Sequence, residues 1–305
     1  MENKSKFPAW EVRRFVLTVA ILSCGFAIPL WKLFRFAAGS ELYSYILLIP
    51  FISVYLVWLK RASLPLSVPP ARLLGVAFLL AGSVLLAAYW LWLRPAVLAV
   101  NEDYFSVMTI CFLLFLYGIA SLFWGLPAMR VAAFPLGFLI LLSPLPPSAI
   151  QEMDAFLQSG SASVAAGFFW LSGTPFLQDG LTFQLSDIKL SIAPECSGIH
   201  STIVLFITAL LCGHIFLRRL WKRVVLVLIV VLLGLLRNGF RVFVIGQLCI
   251  LWGPQMIESP LHRKGGPIFF LLSLIPFFLL LFLLLKSEKR PSGQTTSIER
   301  QPCAN

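Results

Sequence analysis

The chain has 305 residues, of which 59% are hydrophobic and only 12% are charged, and its mean hydropathy is +0.90. Soluble domains are about 45–50% apolar and about 25% charged, so this composition excludes a water-soluble globule and a disordered chain. Several apolar runs reach about 18 or more residues, which is long enough to cross a bilayer. The sequence therefore predicts an all-α polytopic membrane protein.

The predicted spans follow one another along most of the chain. An apolar run begins at Phe15, after a polar and basic N-terminus, and we interpret it as a retained span rather than a cleaved signal peptide. Further spans are predicted at about 43–59, 73–93, 104–126, 131–147, 198–217, 224–246 and 267–285, which makes eight in all. Residues 1–286 form a single predicted membrane domain, and residues 287–305 form a flexible cytoplasmic tail.

The net charge of +11 reflects orientation in the membrane rather than binding to nucleic acid. Basic residues accumulate in the cytoplasmic loops of membrane proteins. If the N-terminus is cytoplasmic, most of the 24 basic residues lie in the inner segments, and the acidic residues gather in the outer ones. Both termini are therefore predicted to face the cytoplasm.

A long outer loop is predicted from about 148 to 196. Apolar residues recur at helical spacing between about 150 and 171, with polar residues between them (Gln151, Asp154, Gln158, Ser161). This pattern predicts an amphipathic helix in the membrane interface, and a ninth, short span at 156–171 is the alternative. Alternation with period two over 181–185 and 188–192 predicts a small β-hairpin.

The segment PECSGIHS, residues 194–201, holds a candidate nucleophile. Cys196 lies where the hairpin ends and a helix begins. The first amides of a helix have no internal partner and the dipole is positive there, so a thiolate is favoured. Gly198 leaves room for a substrate backbone, and Glu195 and Ser197 are supporting residues. The alternatives for Cys196 are a buried thiol in a turn, or a disulfide with Cys249.

The segment LLRNGFRV, residues 235–242, holds two arginines on one helical face. Arg237 and Arg241 are four residues apart, and Asn238 adjoins that face. Charged groups at membrane depth are costly and usually functional. The pair predicts an anion or oxyanion site. The alternatives are an interfacial position of the Arg241 side chain and an ion pair of Arg237 with Glu195.

Two histidines compete for the role of proton carrier. His262, in SPLHRKGGP, could protonate a leaving amine if it lies near the thiol. His200, four residues after Cys196, is a rival base, and His214 is interpreted as structural. Neither CxxC nor HxxxH spacing occurs, so no metal and no cofactor are predicted.

Cysteine, arginine and histidine together predict acyl transfer. The thiolate attacks a peptide carbonyl, the arginine stabilises the oxyanion, and the histidine protonates the departing amine. Water or an amine could resolve the resulting thioester. The alternative is a transporter or an anion-binding membrane protein that uses the two arginines.

Five segments resemble the exosortase/archaeosortase family of membrane transpeptidases: FPLGFLILLSPLPP, GTPFLQDG, ECSGI, NGFR and HRKGG. The resemblance implies that Cys196 is the nucleophile and that Arg241 and His262 complete the catalytic set. It also implies protein substrates with a C-terminal sorting signal, namely a short Pro-Glu-Pro type motif, a spanning helix and a basic tail. Cleavage would occur at the outer face of a bacterial or archaeal cell membrane, with transfer to an acceptor that the resemblance does not identify.

Overall fold

The computed structural model describes residues 9–65, 69–93, 101–185, 188–192, 197–253, 255–256 and 266–288. The chain divides between Met153 and Asp154 into two compact units. In chain order the helices and strands are α1 (Ala9–Gly25), α2 (Ala27–Gly39), α3 (Ile49–Lys60), α4 (Arg72–Ala88), α5 (Asn101–Val131), α6 (Ala133–Phe138), α7 (Pro147–Leu171), β1 (Leu177–Asp179), β2 (Thr182–Leu185), β3 (Ile188–Ser191), α8 (Ile199–Phe216), α9 (Leu220–Trp252) and α10 (Gly266–Glu288).

Four segments within the described residues are long and apolar enough to span a membrane, namely Arg72–Leu91, Glu102–Val131, Ile199–Phe216 and Gly266–Glu288. Two bent pairs raise the number to six if each pair is one span: α1 with α2, bent by 75°, and Ala133–Leu142 with α7, bent by 93°. The predicted count of eight is therefore not confirmed. The α-helix in the region of the predicted span at 43–59 is α3, which begins at Ile49 and is only 12 residues long, and a span needs about 20.

Glycines allow close packing of α4 and α5 in the first unit. A Cβ atom on Gly75 would lie 2.7 Å from the side chain of Leu122, and one on Gly118 would lie 2.8 Å from Leu79. Small residues at such positions let two apolar helices approach closely where water provides no hydrophobic drive. The composition of these helices therefore determines both their apolar surface and their pairing.

The predicted β-hairpin is present, but it belongs to a three-stranded antiparallel sheet in the order β1-β2-β3. The extra strand, β1, joins β2 through the turn at Gly180, whose φ of 59° is the left-handed conformation that two-residue hairpin turns favour. One face of the sheet packs on α7 and α9. The shared cluster contains Phe169, Phe183, Leu185, Leu190, Val242, Ile245 and Cys249.

The predicted amphipathic helix is present as α7, but part of its polar stripe is buried rather than exposed. Gln158 and Ser161 are buried, whereas Phe156 and Trp170 are exposed. A helix at a water interface would expose its polar face instead. An apolar outer face suits a helix surrounded by lipid, and Ala133–Leu142 together with α7 is long and apolar enough for one broken span or a re-entrant loop.

The helices α8, α9 and α10 enclose an apolar cluster in the second unit. It contains Leu205, Ala209, Leu217, Leu226, Val230, Phe277 and Leu281. The helix α10 continues to Glu288, beyond residue 287, where the flexible tail was predicted to begin. This extension brings the Glu288 carboxylate to the backbone N–H groups of Arg218 and Arg219, at 3.1 Å in each case.

Candidate active site

The helix α8 begins at Ile199, directly after the left-handed residue Gly198, so the predicted helix start behind Cys196 is confirmed. Gly198 has φ 73° and ψ 19°. A Cβ atom there would lie 2.7 Å from Nη2 of Arg237 and 3.3 Å from Oδ1 of Asn238. Both the backbone conformation and the lack of space therefore require glycine at this position.

The carbonyl oxygen of Gly198 is the central acceptor of the site. It accepts hydrogen bonds from the backbone N–H of Thr202 at 3.0 Å, from the Thr202 hydroxyl at 3.0 Å and from the Ser201 hydroxyl at 3.1 Å. Arg237 adds a fourth donor, Nη2, at 3.1 Å. Hydrogen bonds from charged donors are stronger than those from neutral donors, so Arg237 makes the strongest of the four hydrogen bonds to this turn.

Ser197 and His200 lie on either side of the turn. Ser197 is buried, and its hydroxyl oxygen accepts a hydrogen bond from the N–H of Ile199 at 3.3 Å, which satisfies one of the free amides of the first helical turn. His200 is in the first turn of α8 and is partly buried. Cys196, Glu195 and His262 lie outside the described residues, as does the predicted ion pair between Arg237 and Glu195.

Arg237 is deeply buried in α9, with 8% of its surface exposed. Nη2 also lies 3.4 Å from the Thr202 hydroxyl, and Gly234 permits this approach, because a Cβ atom there would lie 2.8 Å from that hydroxyl. Nη1 is buried without a hydrogen-bond partner among the described residues. Arg241 is one helical turn further along α9 and is partly buried, so the two guanidinium groups share a face as predicted.

Asn238 connects α9 to α7. Its Nδ2 donates to the hydroxyl of Ser161 at 3.1 Å, and both residues are buried. Gly239 lets the two helices approach, because a Cβ atom there would lie 2.5 Å from Val164. The amino-acid sequence alone predicted no role in the site for Ser161 or Thr202. Their only signals were the position of Ser161 in the polar stripe of α7 and the place of Thr202 one turn after Gly198.

One alternative raised from the sequence, a disulfide between Cys196 and Cys249, is contradicted by the structure. Cys249 is a free thiol buried in the apolar cluster of α7, the sheet and α9, so the proposed disulfide with Cys196 is wrong. Among the described residues, no three His, Cys, Asp or Glu side chains lie close enough together to hold a metal ion.

A second polar cluster lies at the other end of α8 and α9. Lys222 is 1% exposed; its Nζ donates to the carbonyl oxygen of Leu284 at 3.0 Å and lies 3.9 Å from the Glu288 carboxylate. Nη1 of Arg223 lies 3.5 Å from Nδ1 of His214. This contact fits the structural role predicted for His214. Between the two clusters α8, α9 and α10 share a cluster of buried apolar side chains.

Comparison with known proteins identifies the family. The family model described as transmembrane exosortase (Exosortase_EpsH) matches residues 31–279, which covers every described element of the site. No curated protein and no solved structure matches the chain. The chain therefore belongs to the transmembrane exosortase family, and this membership supports a role of the membrane-transpeptidase kind.

Proposed function

We propose that this protein is a membrane cysteine transpeptidase that cleaves C-terminal sorting signals at the outer membrane face. Cys196 is the nucleophile, Arg241 stabilises the oxyanion and His262 is the proton carrier. The observation that carries the proposal is the hydrogen bond from Arg237 to the carbonyl oxygen of Gly198. It joins the turn two residues after Cys196 to the helix face that carries Arg241.

The chemistry proceeds in two steps. The thiol proton passes to His262, and the sulfur of Cys196 attacks the carbonyl carbon of the scissile peptide. As the C–N bond breaks, His262 returns the proton to the departing nitrogen, which leaves with the C-terminal helix and tail of the substrate. An acceptor nucleophile then attacks the thioester and releases the thiol, and the guanidinium of Arg241 balances the negative charge on oxygen in both steps.

The place of Cys196 in the sequence, shortly before the start of α8, favours the thiolate form of its side chain. The first N–H groups of an α-helix and its dipole stabilise a nearby negative charge, and a thiolate attacks far better than a thiol. The αL turn at Gly198 and the buried hydroxyl of Ser197 hold the chain directly after Cys196. A nucleophile held in one geometry loses less entropy on the way to the transition state.

An anion transporter is the second candidate, because two arginines on one helix face could bind an anion. A transporter needs a polar path that continues across the membrane. In the described residues the packed interior beyond Arg237 contains an apolar cluster around Leu226, Val230 and Phe277, and the next buried charged side chain on α9 is Lys222. This packing favours a site that opens on one side of the membrane, as an enzyme requires.

The deciding experiment measures processing of a reporter in cells. The reporter is a soluble protein with a C-terminal Pro-Glu-Pro type motif, an apolar helix of about 20 residues and a basic tail. Cys196→Ala should abolish its shortening, whereas Cys212→Ala, which changes a half-buried thiol in α8, should leave processing unchanged. Full processing by the Cys196→Ala protein would exclude the mechanism.

A further inference from the structure

The outer edge of β3 carries backbone groups that point away from the sheet. The N–H of Ile192 donates to the carbonyl oxygen of Leu181 at 3.0 Å, so these two residues occupy a hydrogen-bonded position of the ladder. Such pairs alternate along an antiparallel ladder, and the register pairs Gln184 with Lys189 and Thr182 with Ser191. The N–H and C=O groups of Lys189 and Ser191 therefore point away from β2, and no described residue bonds to them.

The opposite edge of the sheet offers the same geometry on β1. Leu177 pairs with Gln184 and Asp179 pairs with Thr182, so Gln178, opposite Phe183, is the residue whose backbone groups point outward. The two edges differ in charge and in position along the chain. Lys189 lies on the β3 edge, whereas Asp179 lies on β1. Only β3 leads directly to the nucleophile.

The β3 edge lies within a short reach of the proposed nucleophile. Ser191 precedes Cys196 by five residues, and a fully extended chain spans at most about 3.6 Å per residue. The Cα atom of Ser191 is therefore within about 18 Å of the Cα atom of Cys196, roughly the length of five extended substrate residues. The buried face of β3, formed by Ile188 and Leu190, packs on the core of the second unit, so the position of this strand is fixed by that core.

We propose that the segment of the sorting signal around the scissile bond binds as an added strand along the free edge of β3. This inference rests on the proposed transpeptidase function. Extended peptides commonly bind by adding a strand to an exposed sheet edge, where main-chain hydrogen bonds supply affinity. The backbone of Lys189 and Ser191 holds the substrate in an extended conformation, and Cys196 attacks a peptide bond a few residues along that strand.

Charge favours an acidic substrate segment over a second copy of this chain. The Lys189 side chain is exposed on β3. Two copies paired along this edge would bring lysines of like charge close together, which is unfavourable for cross-strand neighbours. An acidic side chain in the bound segment would instead lie beside Lys189. Exposed ion pairs contribute little binding free energy. The backbone hydrogen bonds therefore supply most of the affinity, and the charge of Lys189 favours substrates with an acidic side chain beside it.

Proline substitutions test the edge without breaking the ladder. Lys189→Pro removes an N–H that makes no hydrogen bond to β2, and edge strands accept proline at such positions. It should lower the rate of reporter processing about tenfold, because a substrate hydrogen bond is lost and the ring blocks approach. Gln178→Pro makes the same change on the β1 edge and should leave processing within about twofold of the parent, since no substrate bond is lost there.

Lys189→Thr tests the contribution of the Lys189 side chain to substrate binding separately from that of its backbone. It keeps the N–H and suits a strand, so processing should stay within about threefold of the parent protein, as expected for an exposed ion pair. If Lys189→Thr reduces processing as much as Lys189→Pro, the side chain rather than the edge binds substrate and the inference is wrong. Unchanged processing by the Lys189→Pro protein, or equal loss in the Gln178→Pro protein, overturns it as well.

Photocross-linking gives a readout that does not depend on the folding of proline variants. A photoreactive amino acid at position 189, in the Cys196→Ala background, should capture the reporter through its sorting motif, and the same group at position 178 should not. Equal capture at both positions, or no capture at 189, contradicts strand addition at β3. Failure of the proposed function itself is distinguishable, because the parent protein would then leave the reporter unprocessed, or the Cys196→Ala protein would process it as well as the parent does.

Discussion

Nη2 of Arg237 donates a hydrogen bond of 3.1 Å to the carbonyl oxygen of Gly198. This bond links the middle of α9 to the first residue before α8, across 39 positions of the chain. Because Gly198 follows Cys196 by two residues, the bond makes the geometry of the proposed nucleophile depend on α9. Several measurable consequences arise from this dependence.

Replacement of Gly198 should disable the enzyme through displacement of Arg237. Alanine at 198 would carry the strain of a left-handed conformation, about 1–2 kcal/mol, and its Cβ would lie 2.7 Å from Nη2. The matched control is Gly173→Ala, because Gly173 has φ 71° and no atom within 4 Å of its would-be Cβ. We expect Gly198→Ala to lose reporter processing and Gly173→Ala to keep it. Equal losses in the two variants would mean that backbone strain alone, rather than the contact with Arg237, explains the effect.

The guanidinium of Arg237 should act as a positioning group. Arg237→Met removes the donor to Gly198 and should lower processing about tenfold or more, because charged hydrogen bonds of this kind are worth about 1.5–3 kcal/mol. Arg237→Lys retains a charge and one donor group and should restore part of the activity.

A second readout distinguishes positioning from general stability. In a protein whose other cysteines are replaced, the pH dependence of Cys196 alkylation should move to higher pH in Arg237→Met. A purely structural role would lower the thermal unfolding temperature in detergent but leave the alkylation profile in place. An unchanged profile together with unchanged processing would contradict the positioning role.

The hydroxyl of Thr202 should matter through its contact with the arginine. Thr202 Oγ1 donates to Gly198 O at 3.0 Å and lies 3.4 Å from Nη2 of Arg237. Thr208 makes the same kind of bond within its own helix, to the carbonyl oxygen of Val204 at 2.8 Å. Thr202→Val should lower processing severalfold, since about 1 kcal/mol of hydrogen bonding is lost, and Thr208→Val should have little effect. Similar behaviour of the two variants would leave no role for the Thr202–Arg237 contact.

The Glu288 carboxylate should stabilise the end of the bundle far from the proposed nucleophile. It accepts the N–H groups of Arg218 and Arg219 at the start of α9 and lies 3.9 Å from Nζ of the buried Lys222. Glu288→Ala leaves these two backbone N–H groups and the buried Lys222 ammonium without their carboxylate partner. We therefore expect Glu288→Ala to lower the unfolding temperature of the protein in detergent.

A double-mutant cycle tests the pairing of Glu288 with Lys222. The combination of Lys222→Met and Glu288→Ala should be less destabilised than the sum of the single variants, because it leaves no buried charge unpaired. Strict additivity would show that the carboxylate acts only as a cap on the two backbone N–H groups. Reporter processing should change little while the protein remains folded.

Part of the site could be predicted because it depends on local geometry. The start of a helix just after Cys196 could be read from PECSGIHS, and helix α8 does begin at Ile199. The common face of Arg237 and Arg241 follows from a separation of four residues. Alternation over 181–192 predicted the paired strands β2 and β3, although β1 was missed because a strand of three residues is too short to display a period.

Other features could not be predicted because their partners are distant in the sequence. Periodicity separates the two faces of α7 but does not say which one meets protein, since lipid replaces water as the surrounding medium. The structure turns Gln158 and Ser161 inward, where Ser161 accepts from Asn238 at a separation of 77 residues. Glu288, which caps the start of α9, is 70 residues away from Arg218 in the chain.

The amino-acid sequence by itself determined that this chain is a membrane protein, where its main helices and its hairpin begin, and which residue types can carry acyl transfer. These properties follow from composition and from spacing along one element. Only the tertiary structure decided that Arg237 would bind the turn at Gly198 and that β3 would be the last strand of the sheet among the described residues. Such contacts depend on which helices and strands become neighbours, and that choice is made by packing across the whole unit.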